Sequence, residues 1–196
     1  MKKLKSILML SITAIFLLSG VALAHWDPGD GHKMHEPQLP DVEVGYDVNA
    51  TFPVVLADDW MCSETGEVKD LHFWGSWLGD DIGIIDYFLI SFHENIPVGP
   101  DGWSIPGAPI MPPFPVYQWD ERLYFQVPQG WYDPTIPFVY PIGNHFNCYQ
   151  YNIYLDEAYW FLQEEGGIYW VNISAVLDPT GGPPGAQWGW KSAWPY

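Results

Sequence analysis

Six His, two Cys and 24 acidic residues are the side chains of this sequence with chemistry to offer. His25 follows Ala22-Leu23-Ala24, an A-x-A site at which a leader is cut. Cut there, the chain begins with a His whose amine and imidazole can chelate one metal ion together. His32, His35, His72, His93 or His145 would add a further nitrogen. Copper suits such ligands, so a copper-dependent polysaccharide oxidase built on His25 is one expectation. Hard oxygen ligands are plentiful too, and Asp58, Asp59, Asp80 and Asp81 are the expected residues for a structural calcium. Asp27-Pro28-Gly29-Asp30-Gly31-His32 shares the acidic character of a calcium loop but lacks the spacing and closing Glu of the EF-hand. His72 and His93 alone are a weak metal signal, since a site needs a third ligand. No G-x-S-x-G motif is present and no carboxylate pair is singled out, so binding is favoured over catalysis.

Two Cys in an exported chain most simply form one bridge. A Cys62–Cys148 disulfide would contribute about 4–5 kcal/mol in the chain-entropy picture; the alternative is two separate buried thiols. The aromatic excess, 12 Trp and 12 Tyr, is larger than a core of this size requires. Rings held outward on a rigid scaffold can stack on sugar faces while amides and carboxylates bond the hydroxyls. His72, Trp74, His93, Trp103 and Trp131 are therefore the expected ligand-binding residues, and Trp188 is also read as outward. The same rings would equally serve a structural or adhesive surface protein through protein contacts.

The elements that must position these groups begin after a leader. Lys2, Lys3 and Lys5 precede an apolar run from Ile7 to Leu18, so residues 1–24 read as a signal peptide and 25–196 as one exported domain. No second apolar run of spanning length follows. Three of the seven basic residues fall in the leader and all 24 acidic residues beyond it, which leaves 4 against 24, a formal charge of −20. Such a surface repels nucleic acid and anionic lipid.

Residues 25–40, rich in Pro and Gly, read as an extended arm, and Thr51–Ala57 as a strand. Leu71, Phe73, Gly75 and Trp77 alternate with Asp70, His72, Trp74 and Ser76, the period of a half-buried strand. Phe88, Ile90 and Phe92 alternate with Tyr87, Ser91 and His93. Paired as antiparallel neighbours, the two strands would set Phe73 near Phe92 and His72 near His93. Asn95–Pro115 and Gln129–Ile142 read as long Pro-punctuated connections on either side of a strand at Arg122–Val127. Tyr149, Tyr151, Ile153 and Leu155 share one face of a further strand, opposite Cys148, Gln150 and Asn152. Tyr169, Val171, Ile173 and Ala175 are the inward face of the next, and Gln187–Ser192 is a last short strand. Asp156–Glu165 is the one helix expected beyond the leader, capped by Asp156 and closed by Gly166-Gly167. The sum is an all-β antiparallel sandwich, of jelly-roll type, with long Pro/Gly loops and one short helix.

Several stretches together resemble an uncharacterised family of exported bacterial and archaeal proteins: LADDWMC, SETGEVKDLHFWGSWLGD, YFLISFHENIPVGPDGWSIPG, GWYDP, YQYNI, GIYWVNISAV and QWGWKS, with the opening WDPGDGHKMHEPQLPD. The resemblance covers nearly all of the chain beyond the leader. It implies a signal peptide and a β-sandwich with no established activity, and carries no catalytic residue.

Overall fold

A computed structural model describes Trp26, Asp27, Asp30, residues 37–100 and residues 102–193. Twelve strands follow one another: β1 (Tyr46–Asn49), β2 (Leu56–Met61), β3 (Gly66–Val68), β4 (Asp70–Trp77), β5 (Ile85–Ile96), β6 (Ile105–Pro109), β7 (Phe114–Val116), β8 (Asp120–Asp133), β9 (Phe138–Tyr154), β10 (Phe161–Gln163), β11 (Ile168–Leu177) and β12 (Trp188–Lys191). They form an all-β, sandwich-like body. One sheet, in the order β1-β12-β4-β9-β8, closes on itself through a parallel β1–β8 pairing. The second runs β2-β11-β5-β6, with β7 also on β5, and β3 pairs with β10.

The period-two patterning sets the phase of the main strands. Phe73 and Trp77 are 3 % exposed, and Phe88, Ile90, Phe92, Tyr151 and Ile153 are fully buried. These side chains fill the space between the two sheets. Phe73 stacks on Tyr151 at 5.5 Å and meets Phe88 edge-on at 5.2 Å. Such pairs add about 0.5–1.5 kcal/mol each beyond the area they bury.

Partner choice differs from the expectation. β4 and β5 are not neighbours: β4 pairs β9 and β12, whereas β5 pairs β11, β6 and β7. The apolar faces of β4 and β5 meet across the core instead, which buries both without a shared ladder. His72 and His93 therefore lie on different sheets and do not meet. The expected helix at 156–165 is also absent. One 3-10 turn, Glu157–Tyr159, leads straight into β10. A ten-residue helix is marginal by itself, and here β3 supplies backbone partners while Phe161 packs 4.7 Å from Phe92.

The proline-rich connections hold more order than their composition suggests. β6 lies within 95–115 and β7 begins there, both as edge strands, where proline removes no needed donor, and β8 and β9 run on as a long hairpin turning at 134–137. The strand expected at 51–57 begins only at Leu56, after a turn closed by Val54 N donating to Thr51 O.

The disulfide is corrected as well: Cys62 and Cys148 are free, buried thiols. Cys62 directly follows β2 of the second sheet, with its thiol directed at Glu64 O, 3.1 Å away. Cys148 lies in the closed sheet opposite Ser76. Burial pushes the Cys148 thiol well above its ordinary range, and the Asp47 charge adds to this.

Candidate functional site

Closure of the first sheet creates an inside. The β4 side chains His72, Trp74 and Ser76 pair in register with Asn152, Gln150 and Cys148 of β9. Read as solvent-facing from their polarity, these groups instead line a lumen. Gln150, Asn152 and Cys148 are fully buried and Trp74 is 6 % exposed. Trp26 covers one end: its ring lies 5.7 Å from Trp74, and its carbonyl accepts hydrogen bonds from Arg122 and Gln150 at 2.8 Å each.

Deeper in the lumen is a charged cluster that sequence patterning did not single out. Asp47 and Lys191 face each other across β1 and β12. Lys191 Nζ stands 3.4 Å from Asp47 Oδ2 and also donates to Gln129 Oε1. His145 Nε2 is 2.9 Å from the same Asp47 oxygen. Asp47, Gln129 and His145 have no solvent exposure. The one available signal is scarcity: Lys191 is one of only four basic residues after position 24, set between aromatic residues in WGWKSAW.

At the far end of β8, Asp133 is held by Thr135, whose hydroxyl and backbone N–H donate at 2.7 and 2.9 Å. Burial works to raise the Asp133 carboxyl, but these bonds, with Asn49 and Gln187, outweigh it and hold the carboxyl below its usual range. A folded-state pKa below the unfolded one gives stability that is present above the unfolded carboxylate range and lost as pH falls through the folded value. Asp133→Asn is accordingly expected to destabilise at neutral pH and to close the gap to wild type in acid. Urea midpoints at neutral pH and near the carboxylate range test this; a gap that widens on acidification contradicts it.

A space of about 720 Å³ opens next to the lumen and shares Trp26, His72 and Trp74 with it. Its walls come from β2, β3, β4, β10, β11 and β12 and from 37–40, and its size is that of a small-molecule site. Trp60, Tyr154 and Trp190 supply rings, and Gln38 and Gln163 supply amides. Asp30, Asp58, Asp59, Glu67 and Asp70 share these walls with Lys69. Lys69 is engaged by Glu67 at 3.0 Å and by the Trp160 ring at 4.4 Å. Asp58 opens to this cleft, yet the surrounding protein raises its carboxyl above the usual range, with the Asp59 charge adding to the effect.

Of the residues expected to bind a ligand, His72 and Trp74 reach the cleft wall. Trp131 is corrected from outward to fully buried, with the Gly189 backbone pressed on it: a Cβ there would fall 2.6 Å from the ring. Trp188 is likewise fully buried. Trp103 is 72 % exposed on the β5–β6 connection. His93 is engaged on the outer face of the second sheet by Ser91, Asn172 and the Gly107 carbonyl at 2.9–3.1 Å.

The acidic pairs are not gathered as a calcium site would require. Asp58 and Asp59 are on β2 at the cleft, whereas Asp80 follows β4 at its other end and accepts from the Phe146 and Asn147 N–H groups. Among the described residues, no group of three or more His, Cys, Asp or Glu is placed to hold a metal. His25, on which the copper expectation is built, and two of its possible partners, His32 and His35, lie outside the described residues, as do residues 1–24 and most of 25–40.

The sequence profile of DUF7901, a domain of unknown function, matches residues 34–195. The chain belongs to the DUF7901 family. No curated protein and no solved structure matches it. The matched span takes in every strand of this DUF7901 chain, and with them the lumen cluster and nearly the whole cleft.

Proposed function

We propose that this DUF7901 chain is an exported, non-catalytic binding module whose cleft takes a neutral polyhydroxylated ligand, a glycan. The wall chemistry of the cleft carries this reading. Trp190 offers an indole, and the Asp58 carboxylate and the Gln38 amide line the same cleft. A sugar ring stacks its C–H face on an aromatic ring while its hydroxyls bond carboxylates and amides. The carboxylate excess turns away anionic ligands, and the overall charge does the same for nucleic acid. The leader pattern at 1–24 supports export, and no described helix is long and apolar enough to cross a membrane.

The test is a glycan array on the exported chain, followed by calorimetry. A glycan that binds is expected to lose about tenfold or more in affinity, ~1.4 kcal/mol, with Trp190→Ala or Asp58→Asn, while Trp103→Ala leaves it unchanged. No glycan binding together with concentration-dependent self-association would favour a structural or adhesive surface protein. The apolar side chains around the β5–β6 connection speak for that second reading: Val98 is 66 % and Trp103 72 % exposed, with Ile96 and Ile105 beside them.

A further inference from the structure

The lumen cluster combines an amine, a carboxamide and a carboxylate in a setting that water does not reach. β1 runs between β12 and β8, so Asp47 lies between Lys191 on one side and the Gln129–Trp131 segment on the other. Lys191 Nζ donates to the carbonyl oxygen of Gln129 and stands 3.4 Å from Asp47 Oδ2. The Gln129 amide nitrogen is directed away from the amine, donating to the carbonyls of Pro128 at 2.9 Å and Val42 at 3.3 Å. That leaves its carbonyl turned to the amine. Gly45 makes the room: a Cβ there would fall 2.8 Å from Lys191 Nζ. Asp47 Oδ1 is buried and has no hydrogen-bond partner among the described residues, so it can take a proton.

As an ion pair this arrangement is expensive, because two charges leave water and the carboxylate is shared with His145. Amide formation removes both charges. We propose that Lys191 and Gln129 join in an intramolecular isopeptide bond, with Asp47 as the base. The Lys191 ammonium gives one proton to the Asp47 carboxylate. The freed amine attacks Gln129 Cδ, a C–N bond forms, and the bond from Cδ to the amide nitrogen breaks. The amine's second proton passes by way of Asp47 to that nitrogen, which leaves as ammonia. The products are a secondary amide, a neutral Asp47 carboxyl and one ammonia, so atoms and charge balance without an oxidant or cofactor. The bond would tie β12 to β8 across β1, at the parallel seam where the sheet closes. It does not depend on the cleft's ligand.

Mass spectrometry of the intact, denatured wild-type chain decides the matter. The expected mass is lower than that of the exported sequence by one ammonia. Digestion after Glu should give fragments 122–157 and 166–196 as one linked species, joined at Gln129 and Lys191. Unlinked fragments at full mass would overturn the proposal, and so would a loss of one water with the link at Asp47. Asp47→Asn preserves the shape but cannot accept the proton. It is expected at full mass, and a linked Asp47→Asn chain would overturn the role given to Asp47.

Discussion

Trp188→Ala is expected to cost about 3–5 kcal/mol, the range for emptying a fully buried aromatic site. Trp188 is where the two sheets lock. Its ring meets Phe88 at 5.2 Å, Tyr151 at 5.6 Å and Phe73 at 6.1 Å, which takes in β5 of one sheet and β9 and β4 of the other. Gly75 is bare beneath it, since a Cβ there would fall 2.6 Å from the indole Cε2. Four rings packed with so little slack cannot collapse into the space an alanine leaves. Urea unfolding followed by far-ultraviolet circular dichroism gives the number. A loss under about 1 kcal/mol, typical of surface positions, would mean that the rings do not form one packed cluster.

Asp47→Ala is expected to be as damaging, for an electrostatic reason. The substitution strands the Lys191 ammonium in the lumen, and removing one partner of a buried pair costs about 3–5 kcal/mol. The double variant Asp47→Ala/Lys191→Met has no ammonium to strand and should be more stable than Asp47→Ala by most of that amount. Neither variant can form the proposed cross-link, so their difference isolates the uncompensated charge. A double variant no more stable than the single one would show that the Asp47 carboxylate serves chiefly through His145, 2.9 Å away, and not through Lys191.

The residues that misled sequence reasoning share one cause. Cys148, Gln150 and Asn152 alternate with Tyr149, Tyr151 and Ile153, and polar groups in alternation normally face water. In an open sandwich that inference would stand. Here the short strands β1 and β12, four residues each, close the sheet on itself and turn its polar face into an interior. Trp131 falls in a Pro-punctuated connection and Trp188 in a short last strand, and such positions read as outward. Gly189 in fact lets backbone approach the buried Trp131 ring. The Cys pair was read from compartment alone, and compartment says nothing of whether two strands bring their Cβ atoms into bonding reach.

Alternation and composition by themselves determined the strand-rich class and the inward set of Phe73, Phe88, Ile90, Phe92, Tyr151 and Ile173, because local period dictates which side of a strand must leave water. Tertiary structure alone decided which strands are neighbours, that β4 and β5 face each other across a core, that one sheet closes, and that Asp47, Gln129, His145 and Lys191 meet. Those four residues are separated by up to 144 positions, and pairing over such distances is settled by the combined burial of whole faces, which no short stretch of sequence encodes.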